Sequence, residues 1–298
     1  MRSLGFFLSV LVITLVQGRS TTLPFSTVFR GESVFNRLIE RAKEEHWRDL
    51  PLGDRTVAVG KALLGTPYVN FTLEIDDHVE AASADLYGMD CWTFFEISLA
   101  FARMLDIKSD NYSPRDLLAL IELDRYRDGR CNGSYTSRLH FLEDWAYDNE
   151  RRGLVRNVTR SLGAVLMRGR YLNEMSKTWR SSRYLRNNPQ LISQIRQIEY
   201  RVSSRDVYQI PKDRVAFVQS KIRNGDVICI TGQGPEGFTE HVGLAYRDGS
   251  GVLRFMHASK DRREVMIDVP LQNYLYRYRK FAGIIVVRPL EVRGQAAA

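Results

Sequence analysis

Between Cys91 and Leu105 the chain reads CWTFFEISLAFARML. The run is too long for a single strand, and wound as a helix it is apolar on nearly every side. Such a helix belongs in the middle of a core with other elements packed around it. Gly88 breaks the chain just before it. The remaining sequence can supply that surround: 44% of its 298 residues are hydrophobic, 26% are charged and only 9 are proline. Disordered tails, fibres and coiled coils are excluded by that balance. No internal repeat or low-complexity linker divides the chain, so one continuous domain is expected.

Around this helix the periodicity changes along the chain. Residues 33 to 46 (SVFNRLIERAKEEH) predict an amphipathic helix, and residues 54 to 64 (DRTVAVGKALL) a second one capped by Asp54. The segment GTPYVNFTLEID must turn or extend, because Pro67 keeps Thr66 out of the helical region. From Ser113 to about Gln209 the text is mostly helical and polar. SPRDLLALIELDRYR has Ser113 as its cap and Pro114 in the first helical position, and SRLHFLEDWAYDNERRG stops at Gly153. In the last third, DVICI, HVGLAY, VLRFMHA, EVMIDV and AGIIVVR are short β-type runs, with LQNYLYRYR as one helical interruption. They predict an antiparallel meander. Helices first and an antiparallel sheet last make the fold class α+β.

At the start of the chain, Arg2 precedes an uncharged run from Leu4 to Val16, and Val16-Gln17-Gly18 suits a signal peptidase. That run is short for a bilayer, so a cleaved secretory signal over residues 1–18 is expected. It leaves a single domain over 19–298, with a helical elaboration at about 110–215. Periplasmic or secreted localisation follows, as a monomer without stable membrane insertion. The formal charge is +8, but the basic residues are scattered in small clusters such as Arg151-Arg152 and Arg277 to Lys280. Neither zinc-finger spacing nor an RNA-recognition aromatic motif accompanies them, so nucleic acid is not the expected partner. An anionic cell envelope is.

Three cysteines are too few for a disulfide scaffold, and their odd number leaves at least one thiol unpaired within the chain. Cys131 and Cys229 could pair in an oxidising compartment, although Cys229 inside DVICI reads equally well as a buried hydrophobe. Cys91 stands at the first turn of the core helix, where the dipole and unpaired N–H groups favour thiolate. His241 opens the strand HVGLAY, and His257 lies on the next strand, FMHAS. Residues on adjacent strands can face one another on one side of a sheet. Cys91 is then a nucleophile, His241 its base and later its acid, and His257 the residue holding the His241 ring. The competing reading is a buried free cysteine and two structural histidines.

GTPY at 65 to 68, DCWTFF at 90 to 95, NGDVICI at 224 to 230, HVGLAY at 241 to 246 and FMHAS at 255 to 259 resemble, in order, the pattern of NlpC-type papain-like cell-wall hydrolases. The stretch YRDGRCNGSYTSRLHFLEDWAYDNERRGLVRNVT at 126 to 159 is similar to one branch of them, the N-acetylmuramoyl-L-alanine amidase-like family. The resemblance runs from about residue 30 to residue 290. It implies a papain-like NlpC-type fold in which the catalytic helix packs on the C-terminal sheet. It gives Cys91, His241 and His257 the catalytic roles above and places Tyr68 near the thiol. Trp92 departs from the small residue more usual after the cysteine.

The activity implied is hydrolysis of the amide between the lactyl group of N-acetylmuramic acid and L-alanine in peptidoglycan fragments, without metal or cofactor. His46, His78 and His140 offer no ligand spacing with one another. Besides Tyr68, the candidate substrate contacts are Asp90, Trp92, Arg138 and His140. For Asp90 the competing role is to cap the helix rather than to act chemically. The Arg138 guanidinium suits stem-peptide carboxylates, with an ion pair to Glu143 or Asp144 as its competing fate. Cleavage within the stem peptide as a γ-D-glutamyl-diamino acid endopeptidase, and a non-catalytic envelope-binding protein, are the alternatives on the same fold. An acyltransferase is a minor fourth.

Overall fold

The computed structural model describes residues 23–292. The expected signal, residues 1–18, lies outside them. The elements that position the site are helices α1 (Glu32–Glu44), α2 (Leu52–Ala62), α3 (Cys91–Ile107), α4 (Pro114–Arg125), α5 (Leu142–Arg151), α6 (Ile192–Ser203) and α7 (Leu271–Arg277). They accompany strands β1 (Val155–Asn157), β2 (Val165–Leu166), β3 (Tyr208–Pro211), β4 (Val227–Gly232), β5 (Thr239–Arg247), β6 (Leu253–Ser259), β7 (Glu264–Pro270) and β8 (Phe281–Pro289). The class is α+β, as expected.

Helix α3 is the centre of the molecule: every residue from Thr93 to Leu105 is buried. Two of these are charged, and α4 supplies a partner for each. Arg125 donates to Glu96 at 2.8 Å, and Arg103 donates to Asp124 at 2.6 Å. A helix can therefore be buried on all sides while carrying charge, provided its neighbour answers each one. Helix α4 begins as its sequence predicts, with Ser113 and Asp116 forming a capping box and Pro114 in the first turn.

Two helix starts differ from expectation. Helix α2 begins at Leu52 behind Pro51, and Asp54 is no cap: it accepts from the Asn224 amide at 2.8 Å, tying α2 to the loop before β4. Helix α5 begins only at Leu142. Ahead of it Arg138 makes an antiparallel bridge with Tyr126, and the Leu139 N–H bonds to the Arg125 carbonyl at 2.9 Å. Pairing across to that segment outweighs local helix propensity. The end at Gly153 is as read, with φ +77°.

The sheet order is β2-β3-β8-β4-β5-β6-β7, with β1 also on β8, and every pairing within it is antiparallel. Strands β4 to β7 form the expected meander. The fifth run does not extend it: after α7 the chain returns, and β8 pairs with β4 so that Ile285 meets Cys229. Strand β4 is buried along its whole length, so it needs a neighbour on both sides, which a simple meander would deny it. The middle of the chain is also less helical than its composition suggests, since β1, β2 and β3 widen this sheet. Helix α3 packs on β5 and β6. On the opposite face α7 covers a second cluster built around Phe255, Ile230 and Tyr274.

Candidate active site

Cys91 is the first residue of α3, and its neighbours fix it there. Asp90 accepts the Thr93 N–H at 2.8 Å, and Thr93 Oγ1 accepts the Asp90 N–H at 3.0 Å. The second Asp90 oxygen takes a 3.0 Å bond from the Thr72 hydroxyl. Both carboxylate oxygens are thus committed, one to the helix start and one to the Thr72 loop. The backbone N–H groups of Val242, Cys91 and Trp92 are directed at the sulfur and favour thiolate, but burial and then the Asp90 charge outweigh them and push the thiol up to about 12. Desolvation therefore outweighs the dipole argument from sequence.

The histidines come from β5 and β6. The strand register, Leu244 opposite Met256, sets His257 across from Gly243 and one step diagonal to His241 on the same face. A Cβ on Gly243 would sit 2.8 Å from the His257 Cβ, so glycine lets the strands close where the rings meet. His241 Nε2 and His257 Nδ1 are 2.7 Å apart. His257 Nε2 lies 3.5 Å from Asp268 Oδ2 on β7. Arg277, at the end of α7, clamps Asp268 with two 3.0 Å bonds. The Phe255 ring stacks 4.6 Å from that of His257, and Tyr274 abuts it edge-on at 5.1 Å. Burial first, then His257 and Lys280, hold His241 well below the usual histidine range. Burial pushes the Asp268 carboxyl up, but bonds from His257, the Val269 N–H and Arg277 hold it well below the usual carboxylate range.

Cys91, His241, His257 and Tyr68 line one cavity of about 340 Å³, together with Glu240, Lys280, Asp261, Tyr274 and Tyr278. Tyr68 is held on both sides by backbone pairing, its N–H to the Arg263 carbonyl and its bridge to Met89. Burial, then Cys91 and Asp90, push its hydroxyl up to about 12, so it remains a donor. The other candidate contacts lie outside the cavity lining. Trp92 donates to Glu96 at 2.9 Å. Arg138 is buried, donates to the Leu73 carbonyl at 3.0 Å, and lies 3.7 Å from Glu80. The ion pair with Glu143 or Asp144 does not form; Asp144 is taken by Arg127 and Arg205. His140 bonds the Tyr135 carbonyl at 2.8 Å, and burial with Arg138 holds it well below its usual range.

Sequence reasoning passed over Asp268, Arg277, Glu240 and Lys280. A charge inside the apolar run EVMIDV was a usable signal for Asp268; the others required the fold. Cys131 and Cys229 are unpaired, and Cys229 sits in the core. Among the described residues no three His, Cys, Asp or Glu side chains cluster so as to hold a metal, and no helix is long and apolar enough to cross a membrane.

A thiol at a capped helix start and two bonded histidines thus line one cavity. The model of the N-acetylmuramoyl-L-alanine amidase-like family matches residues 58–284. The chain belongs to that family. Among solved structures, an N-acetylmuramoyl-L-alanine amidase from Bacteroides uniformis is 30% identical with a TM-score of 0.73, over 80% of this chain and 99% of that one. A Bacteroides fragilis protein, proposed in its name to be a xylanase, is 32% identical with a TM-score of 0.71, over 78% and 99%. A Legionella pneumophila protein at 19% identity and a TM-score of 0.64, over 87% and 96%, shares the fold. No curated protein matches the chain.

Proposed function

We propose that this chain is a cysteine-dependent cell-wall amidase on an NlpC-type papain-like scaffold, hydrolysing the N-acetylmuramoyl-L-alanine bond of peptidoglycan fragments. The observation that carries the reading is the shared cavity of Cys91 and the His241–His257 pair. Because the thiol is held protonated and His241 neutral, attack couples to proton transfer. The sulfur bonds to the lactyl carbonyl carbon as His241 takes the thiol proton. Backbone N–H groups at the start of α3 and the Tyr68 hydroxyl stabilise the oxyanion. The intermediate collapses as His241 returns the proton to the departing alanine nitrogen, leaving a muramoyl thioester. Water, losing a proton to His241, then cleaves the thioester and releases the acid and the thiol.

A glycosidase reading fits the cavity less well. It requires a carboxylic acid and a carboxylate flanking the bond, whereas Glu240 is paired with Lys280 at 2.6 Å and Asp261 accepts from Tyr278. The positive net charge suits an anionic envelope, and we place the enzyme in the periplasm or outside the cell as a monomer. The test is to incubate the purified protein and its Cys91→Ala variant with defined muropeptides and xylan, and to weigh the products. Release of an intact stem peptide with free L-alanine at its amino end is expected, and its loss in the variant. Release of L-Ala-D-Glu would mean the endopeptidase instead. Absence of any Cys91-dependent product would leave a binding protein.

A further inference from the structure

His241, His257 and Asp268 form one polar row across β5, β6 and β7, and the chemistry of its last member gives the row a direction. A carboxylate can only accept. Asp268 has Oδ1 committed to the Val269 N–H at 2.7 Å and both oxygens clamped by Arg277 at 3.0 Å. Its Oδ2 faces His257 Nε2 at 3.5 Å. That placement favours a proton on Nε2 of His257, which in the neutral ring leaves Nδ1 bare. A bare Nδ1 at 2.7 Å from His241 Nε2 requires the proton of that bond to come from His241. His241 then holds its proton on Nε2 and offers a lone pair at Nδ1, an atom that makes no hydrogen bond among the described residues.

We infer that Asp268, clamped by Arg277, is a positioning residue that sets the tautomers of both histidines and makes His241 Nδ1 the base of the cavity. The opposite arrangement is available to the histidines alone. With a proton on His257 Nδ1 the bond reverses, His241 Nε2 becomes the acceptor, and the His241 proton moves to Nδ1, where a base must be bare. Asp268 decides between them, and Arg277 keeps its carboxylate from turning away. Charged and titratable groups around the row are His241 and Glu240 on β5, Asp268 on β7, Arg277, Tyr274 and Tyr278 from α7 and its end, Lys280 near His241, and Cys91, Tyr68 and Asp261 in the shared cavity. Of these Asp268 is the acceptor placed at His257 Nε2.

The inference rests on the proposed function for its catalytic meaning, but its test needs no substrate. Nitrogen NMR of the histidine side chains in the wild-type protein should show both rings protonated at Nε2. In Asp268→Asn the Arg277 clamp holds the amide oxygen and turns the NH₂ toward His257, so both rings should shift toward the Nδ1–H form. Iodoacetamide alkylation of Cys91, followed by peptide mass to separate it from Cys131 and Cys229, should slow by roughly 10- to 100-fold. Its acid limb should move to lower pH as the nearby negative charge is lost. Asp268→Glu should retain most of the rate. A wild-type His257 protonated at Nδ1, or an Asp268→Asn variant with unchanged tautomers and alkylation, would overturn the inference. Should Asp268→Asn fail to fold, the wild-type tautomers decide alone. If the tautomers are as stated and no muropeptide is cleaved, the amidase reading fails and this one stands.

Discussion

Two buried polar networks flank helix α3, and they differ in where they end. Beneath the helix, Glu96 meets Arg125 and Arg103 meets Asp124, with one further donor of each arginine taken by the Ser83 and Leu154 carbonyls. At its head, the row from Arg277 through Asp268 and His257 stops at His241, whose remaining nitrogen belongs to a residue that lines a cavity. The first network satisfies charge with charge, and all four of its side chains are shut off from solvent. The second is paired at every link but the last. An unspent lone pair at a cavity wall is what would separate this network from a structural one built of similar side chains.

The comparison breaks most visibly at Arg125. Arg125→Met leaves the Glu96 carboxylate buried without its cation, and removing one partner of a buried pair costs about 3–5 kcal/mol. Urea denaturation should show that loss, while the double variant Glu96→Leu with Arg125→Met should recover most of it. Equal damage in the single and double variants would mean that the pair contributes packing rather than charge compensation. No comparable stability loss is expected from Cys91→Ala, whose effect falls on turnover.

How far each network could be read from sequence follows from its range. The burial of α3 and the capping of α4 by Ser113 are local patterns, and the chain displays them. Cys91 and the two histidines were legible because a helix start and a hairpin announce themselves in short motifs. The partners of Glu96 and Arg103 lie on another helix, and nothing in CWTFFEISLAFARML states that Arg125 and Asp124 will come to meet them. Asp268 reaches His257 through strand register, and Arg277 reaches Asp268 only after α7 folds back. The return of β8 beside β4 was likewise set by the burial of β4 on both sides, a tertiary demand that the spacing of β-type runs does not encode.

A smaller effect separates the networks by pH. His241 is held below the usual histidine value in the folded state, so the unfolded chain binds its proton more readily. Stability from this group is therefore constant above about pH 6.5 and falls as pH drops below it, by at most about 1.4 kcal/mol per pH unit. Asp268 is depressed as well, so its contribution also declines on acidification, but only once pH falls below about 4. Glu143, which burial pushes up to about 7, slopes the other way, losing stability as pH rises toward that value. The contrast between proteins isolates the site: His241→Gln should flatten the decline between pH 6.5 and 5 in denaturation midpoints, and an unchanged slope would mean that His241 is not held neutral.

The smallest effect comes from Asp90, which belongs to both halves of the comparison. As a cap it supports the helix; as a charge it opposes thiolate at Cys91. Asp90→Ala removes both functions and should cost about 1 kcal/mol of stability while raising the alkylation rate of Cys91. Asp90→Asn keeps an oxygen for the Thr93 N–H and loses the charge, so it should raise the alkylation rate with little change in stability. The two variants separate roles that the geometry superimposes. If Asp90→Asn reacts no faster than wild type, burial alone holds the proton on the sulfur, and the negative charge beside Cys91 is there for the helix.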